Sequence, residues 1–225
     1  MSGKLIVIEG LDGSGKTTQF EMLLNRLTES RINVKGITFP DYTEPSSALV
    51  KMYLNGEFGD DADSINAFAA SSFYTVDRYA SYKRHWQKEY TEGATVLAAR
   101  YTTSNAIYQM VKLEQSEWDN YLSWLEDFEY AKMGLPIPDA VIYLDVEPEI
   151  SQTLLSKRYE GDENKKDIHE KNIEFLTRCR EAALFAAQRL DWQIISCTRD
   201  GELLSLEDIH ELIFKSIGEA LLSLQ

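Results

Sequence analysis

Short apolar runs recur along the chain, separated by longer stretches in which apolar residues return every three or four positions. The runs LIVIE (5–9), VKGITF (34–39), TVLAA (95–99), AVIYLD (140–145) and WQIIS (192–196) predict strands. Their β-branched and aromatic content suits strands buried on both faces. The stretches 17–30, 64–90, 103–113 continuing through 129, 148–158, 168–190 and 206–224 carry helical periodicity. Strands alternating with helices imply an α/β fold, a doubly wound parallel sheet of about five strands joined by right-handed crossovers. GLPIPD (134–139) is a loop feeding the fourth strand. No repeat, low-complexity tract or linker interrupts the 225 residues, so one domain over 1–225 is expected.

Charge narrows the partners. A formal net charge of −14 disfavours nucleic acid and anionic membrane surfaces, which would repel it. The opening MSGKLIVIEG has too short an apolar run for a signal sequence or a membrane span, so a cytoplasmic protein is expected. Cys179 and Cys197 lack metal-ligand spacing and read as small buried residues; His85, His169 and His210 also lack it and are expected at the surface.

The sharpest chemical signal is GLDGSGKT (10–17), which follows the first predicted strand and opens the first predicted helix. It has the G-x-x-x-x-G-K-[ST] form of a phosphate-cradling loop. Gly10, Gly13 and Gly15 let the backbone wrap closely, with Leu11, Asp12 and Ser14 at the variable positions. The loop amides and helix N-terminus would meet the phosphates of a nucleoside triphosphate, Lys16 would add a charge, Thr17 would ligate Mg2+, and Thr18 follows in the same turn. A guanine-reading role for NKKD (164–167) fails on context: it lies in a polar segment between helices, and outside the loop 10–17 itself no strand is followed by a D-x-x-G switch.

Further motifs appear in order: EGLDGSGKTTQ, FPDY after the second strand, YTVDRY inside the long helix, ARYTTSNAIYQ after the third strand, and PDAVIYLDVEPE at the fourth. With them the chain resembles the thymidylate kinases, nearly end to end. The resemblance implies transfer of the ATP γ-phosphoryl group to dTMP with Mg2+, commonly by a homodimer. It implies that Tyr74 stacks on the thymine, that Arg78 reaches the base edge, and that Arg100 clamps the acceptor phosphate. Phe39 and Pro40 would shape the pocket wall; Ser104, Tyr108 and Gln109 would line it around base and sugar. Spacing agrees, since Tyr74 and Arg78 share a helix face and Arg100 follows a strand end. Ser104 also suits a helix cap. Glu9 and Asp145, at strand ends, are candidates for the Mg2+ shell, with helix capping an equal reading for Asp145.

The loop 10–17 has no basic residue at its variable positions, so the transition-state cation is expected from a lid over 157–171, where Lys157, Arg158, Lys165, Lys166 and Lys171 cluster, and in this the chain resembles the family branch whose lid provides the cation. Arg158 is the preferred candidate, with Lys166 beside it. At the third strand end the family has Asp-Arg, whereas this chain has Ala99-Arg100. That places turnover in question and keeps open a nucleotide-binding protein with little catalysis, besides a kinase for another monophosphate.

Overall fold

The computed structural model describes residues 2–59, 61–160, 162, 169–170 and 172–222; the side chains of 62, 158 and 219–222 lie outside that description. Five strands form one parallel sheet: β1 (Leu5–Gly10), β2 (Val34–Thr38), β3 (Thr95–Ala99), β4 (Ala140–Asp145) and β5 (Gln193–Ser196), in the order β2-β3-β1-β4-β5. β1 and β3 are buried at every position, which is why their sequences are apolar runs instead of alternations. A short antiparallel pair, β6 (Thr198–Arg199) and β7 (Glu202–Leu203), follows β5.

Alternate residues of the central strand sort the core into two layers. Leu5 and Val7 pack with the apolar residues of α3 (Ala67–Ser81), α5 (Thr103–Tyr108), α6 (Trp118–Glu126) and α8 (Ile173–Arg189). Ile6 and Ile8 pack on the other face with α1 (Lys16–Glu29) and α9 (Leu206–Leu222). The period of two then sends Glu9 toward the α5 face. Ala99 lies with Ile8 and Phe20 toward α1.

The helices follow their local chemistry. α1 begins at Gly15, whose left-handed backbone (φ 83°) turns strand into helix and offers no side-chain cap. Pro148 stands in the first turn of α7 (Pro148–Arg158), where its missing N–H costs no bond. The predicted helix over 64–90 is divided: Asn66 caps α3 by accepting from Ala69 N at 2.9 Å, and a π-helical stretch (Tyr82–Trp86) joins α3 to α4 (Gln87–Thr91). The stretch 103–129 is likewise divided into α5, two 3-10 turns and α6, which runs into a π-helical stretch (Asp127–Lys132). A short α2 (Ala48–Leu54) was not anticipated. Cys179 and Cys197 are buried and free, as expected. His169 and His210 are buried as well, against expectation, while His85 pairs with Glu44.

Candidate functional site: a nucleotide pocket at the strand ends

The carboxyl ends of β1 and β3 open into a pocket enclosing about 520 Å³, mouth included. Along one wall run Tyr74, Arg78 and the Phe39–Pro40 pair; Arg100, Ser104, Tyr108 and Gln109 form another. All eight residues expected to contact the acceptor therefore converge on one cavity. Sequence reasoning missed Asp12 and His169 as part of its lining.

At one end lies the loop between β1 and α1. Gly10 and Gly13 are required by packing: a Cβ would fall 2.5 Å from Ser14 Oγ at the first and 2.4 Å from Ser151 O at the second. A Cβ at Gly15 would meet nothing within 4 Å, so the α1 N-terminus opens onto free space. That uncapped helix start suits an anion. Lys16 Nζ folds back onto the loop, donating to the carbonyls of Gly10 and Leu11 at 2.7 Å each. Thr17 and Thr18 are exposed beside it.

Arg100 leaves β3 with a left-handed backbone, φ 66°, unusual for a non-glycine residue and a common mark of a functional position. Its guanidinium pairs with Asp12, which also accepts from the Tyr108 hydroxyl at 3.0 Å. Burial would raise the Asp12 pKa, but Arg100, then Lys16 and the Tyr108 hydrogen bond, outweigh it and bring it down to about 2. Behind Arg100, Glu9 is wholly buried. Its Oε1 accepts from Thr103 Oγ1 and Ser104 Oγ at 2.7 Å each, whereas Oε2 has no hydrogen-bond partner among the described residues. Ser104 therefore serves Glu9 and caps no helix.

The other end is a buried polar cluster. Arg78, 1% exposed, forms an ion pair with Glu129, 0% exposed, that the sequence reading did not anticipate. The signal was present: Trp118, Leu122, Leu125 and Glu129 follow helical spacing, so an acid lies on a core-facing stripe. Next to Arg78, Asp77 fastens the FPDY loop by accepting from Asp41 N at 2.8 Å and Ser46 Oγ at 2.7 Å. Gln109, 1% exposed, leaves its Oε1 without a partner among the described residues. His169 stacks on Tyr108, centroids 5.5 Å apart and planes within 9°. Burial, then the nearby Lys112, lowers its pKa to about 3, so it stands there neutral.

Asp145 does not reach this array freely. Arg180 grips both its oxygens, at 2.7 and 2.8 Å, and the cap of α7 is Glu147, so the capping role considered for Asp145 is excluded. Lys166 and most of the lid, with NKKD, lie outside the described residues, as does the side chain of Arg158 at the end of α7. Among the described residues no three His, Cys, Asp or Glu side chains gather as a metal site.

The model of the family described as thymidylate kinase matches residues 8–213. The chain belongs to the thymidylate kinase family. It is 30% identical to the thymidylate kinase of Mycobacterium tuberculosis strain H37Rv, over 77% of this chain and 81% of that one. The Schizosaccharomyces pombe thymidylate kinase is 28% identical, over 94% of this chain and 90% of that relative. The fold agrees with the solved thymidylate kinase of Candida albicans, with a TM-score of 0.71, 22% identity, and coverage of 97% of this chain and 92% of that one. Ala99, where the resemblance leads one to expect an aspartate before Arg100, is 8% exposed in the layer that packs on α1.

Proposed function

We propose that this chain is a thymidylate kinase that transfers the γ-phosphoryl group of ATP to dTMP, working as one P-loop domain. The observation that carries the choice of base is the placing of Arg78, a donor, with the buried carbonyl of Gln109, an acceptor without a partner among the described residues, around one pocket. A 4-keto pyrimidine offers the complementary acceptor and N–H donor, whereas cytosine reverses both. Tyr74 supplies the stacking face and Arg100 the phosphate clamp.

At the other end, the amides of the loop 10–15, Lys16, Thr17 and Thr18 hold ATP. Lys16 reaches its phosphates by exchanging two carbonyls for anionic oxygen. Thr17 and the free oxygen of Glu9 fit the hard oxygen chemistry of Mg2+, which would spread charge between the phosphates. Asp145 could join only by releasing Arg180. Arg158, with Lys166, is proposed to supply the cation that stabilises the migrating group, and a homodimer is proposed from the family. No described helix is long and apolar enough to cross a membrane; a cytoplasmic location remains part of this proposal.

One feature favours a second reading, nucleotide binding with slow turnover: Ala99 brings no carboxylate to the phosphate end. A coupled assay of ADP release with dTMP, dUMP, dCMP and dGMP, run beside ATP binding without acceptor, separates the two. The highest kcat/KM is expected with dTMP. A preference for a purine monophosphate overturns the base assignment, and tight binding without ADP release selects the second reading.

A further inference from the structure

Arg78 is held with more care than burial alone requires. Nε donates to Glu129 Oε2 at 3.1 Å, Nη2 donates to Oε1, and Nη1 donates to the Tyr101 carbonyl at 3.3 Å. An arginine has five N–H groups, and these bonds leave the remainder at the far end of the fork. Glu129 is anchored in turn, its Oε1 accepting from Thr75 Oγ1 and from Asn105 Nδ2 at 3.0 Å each. The anchors come from α3 and α5, and Glu129 itself from the π-helical stretch after α6. Such wide turns often mark functional positions.

We propose that Glu129 is a positioning residue for acceptor-base selectivity: it clamps Arg78 side-on and cancels its charge, leaving donors fixed for a neutral keto oxygen. This rests on the proposed base contact of Arg78. A free guanidinium in this pocket would attract any anion, including the phosphate of a monophosphate bound in reverse. Paired with Glu129 it is electrically neutral as a unit, so only the directed donors remain. Those meet a keto oxygen favourably and an exocyclic amino group badly, because donor then faces donor.

The test compares Glu129→Gln, Glu129→Asp and Arg78→Lys with the unaltered chain. The readouts are KM for dTMP, KM for ATP, kcat, the dTMP-to-dCMP ratio of kcat/KM, and thermal unfolding. In Glu129→Gln, KM for dTMP is expected to rise about tenfold and the ratio to fall about tenfold, with much smaller changes in KM for ATP and in kcat. Glu129→Asp, which keeps the charge, should recover part of the ratio. A merely structural role would lower activity toward both acceptors in step with the folded fraction and leave the ratio alone; that result overturns the proposal. Should Glu129→Gln fail to fold, Thr75→Val removes one anchoring bond at nearly constant volume and should lower the ratio about two- to threefold. An unchanged ratio there also overturns it. If the unaltered chain shows no preference for dTMP over dCMP, or Arg78→Lys leaves the ratio unchanged, the base contact itself falls instead of the Glu129 assignment.

Discussion

The two ends of the pocket are each organised around an arginine paired with an acid, and the pairs are built to different standards. At the base end, Arg78 and Glu129 have side chains 2% and 0% exposed, and the carboxylate takes additional bonds from Thr75 and Asn105. At the phosphate end, Arg100 and Asp12 are 17% and 22% exposed, and Arg100 stands on a strained backbone. One pair is finished within the protein. The other keeps access to solvent, so Arg100 can exchange Asp12 for a phosphate without leaving a charge stranded in the core. Under the proposed function the difference follows ligand chemistry: a neutral base is recognised by fixed donors, whereas a dianionic phosphate must be met by a cation that is free to move onto it.

The comparison can be broken first at the base end. Glu129→Ala should lower unfolding free energy by about 3–5 kcal/mol, because it strands a buried guanidinium. Asp12→Ala should cost about 1 kcal/mol, since Arg100 regains water. Chemical denaturation measures both, and equal losses would show that the pairs do not differ as described.

The next largest effect concerns the carboxylate missing at the phosphate end. Ala99 faces α1, whose first turn carries Lys16 and Thr17, so an acid there would stand on the same side of the sheet as that helix. Ala99→Asp is expected to raise kcat by about 10²- to 10³-fold, roughly 2.7 to 4 kcal/mol in barrier, while the dissociation constants of ATP and dTMP change much less. A variant no faster than the present chain would mean that Glu9 and its neighbours already complete that end.

Arg100→Lys keeps the charge but loses the planar fork. It should raise KM for dTMP about tenfold with little effect on the dTMP-to-dCMP ratio, the reverse of the pattern expected at Glu129. A change in the ratio would mean that the two ends are coupled. The smallest effect is in pH. The Asp12 carboxyl has a pKa near 2 when folded, below the ordinary value near 4. Its contribution to stability is therefore full above pH about 4 and is lost as pH falls toward about 2. Asp12→Asn should lower stability at neutral pH, where the whole contribution is lost, and flatten the stability curve in that window, so that variant and unaltered chain converge in acid. Parallel curves in acid would show that the Arg100 pairing does not depress this carboxyl.

Much of this architecture could be read in the chain. All five sheet strands and α7 fall where apolar runs and helical spacing placed them; β1 and β3, buried at every position, have few sequence alternatives. The loop 10–17 was legible from its spacing alone, although the crowding that requires Gly13 comes from Ser151 on α7, far off in the chain. The breaks in the long helices were hidden. Helical periodicity continues through a π-helical stretch, and α2 is too short to show a period.

What the sequence by itself determined is the order of the elements, the phosphate loop and the set of side chains at the strand ends, since each depends on neighbours close in the chain. Only the tertiary structure decided how the charges pair. Arg78 meets Glu129 across 51 positions, Arg100 meets Asp12 across 88, and Arg180 claims Asp145 across 35. His169 likewise becomes a neutral buried wall of the pocket only when α5 and the residues beyond α7 are brought together. Coulomb and desolvation energies depend on distance and burial, and neither is set until the chain has folded back on itself.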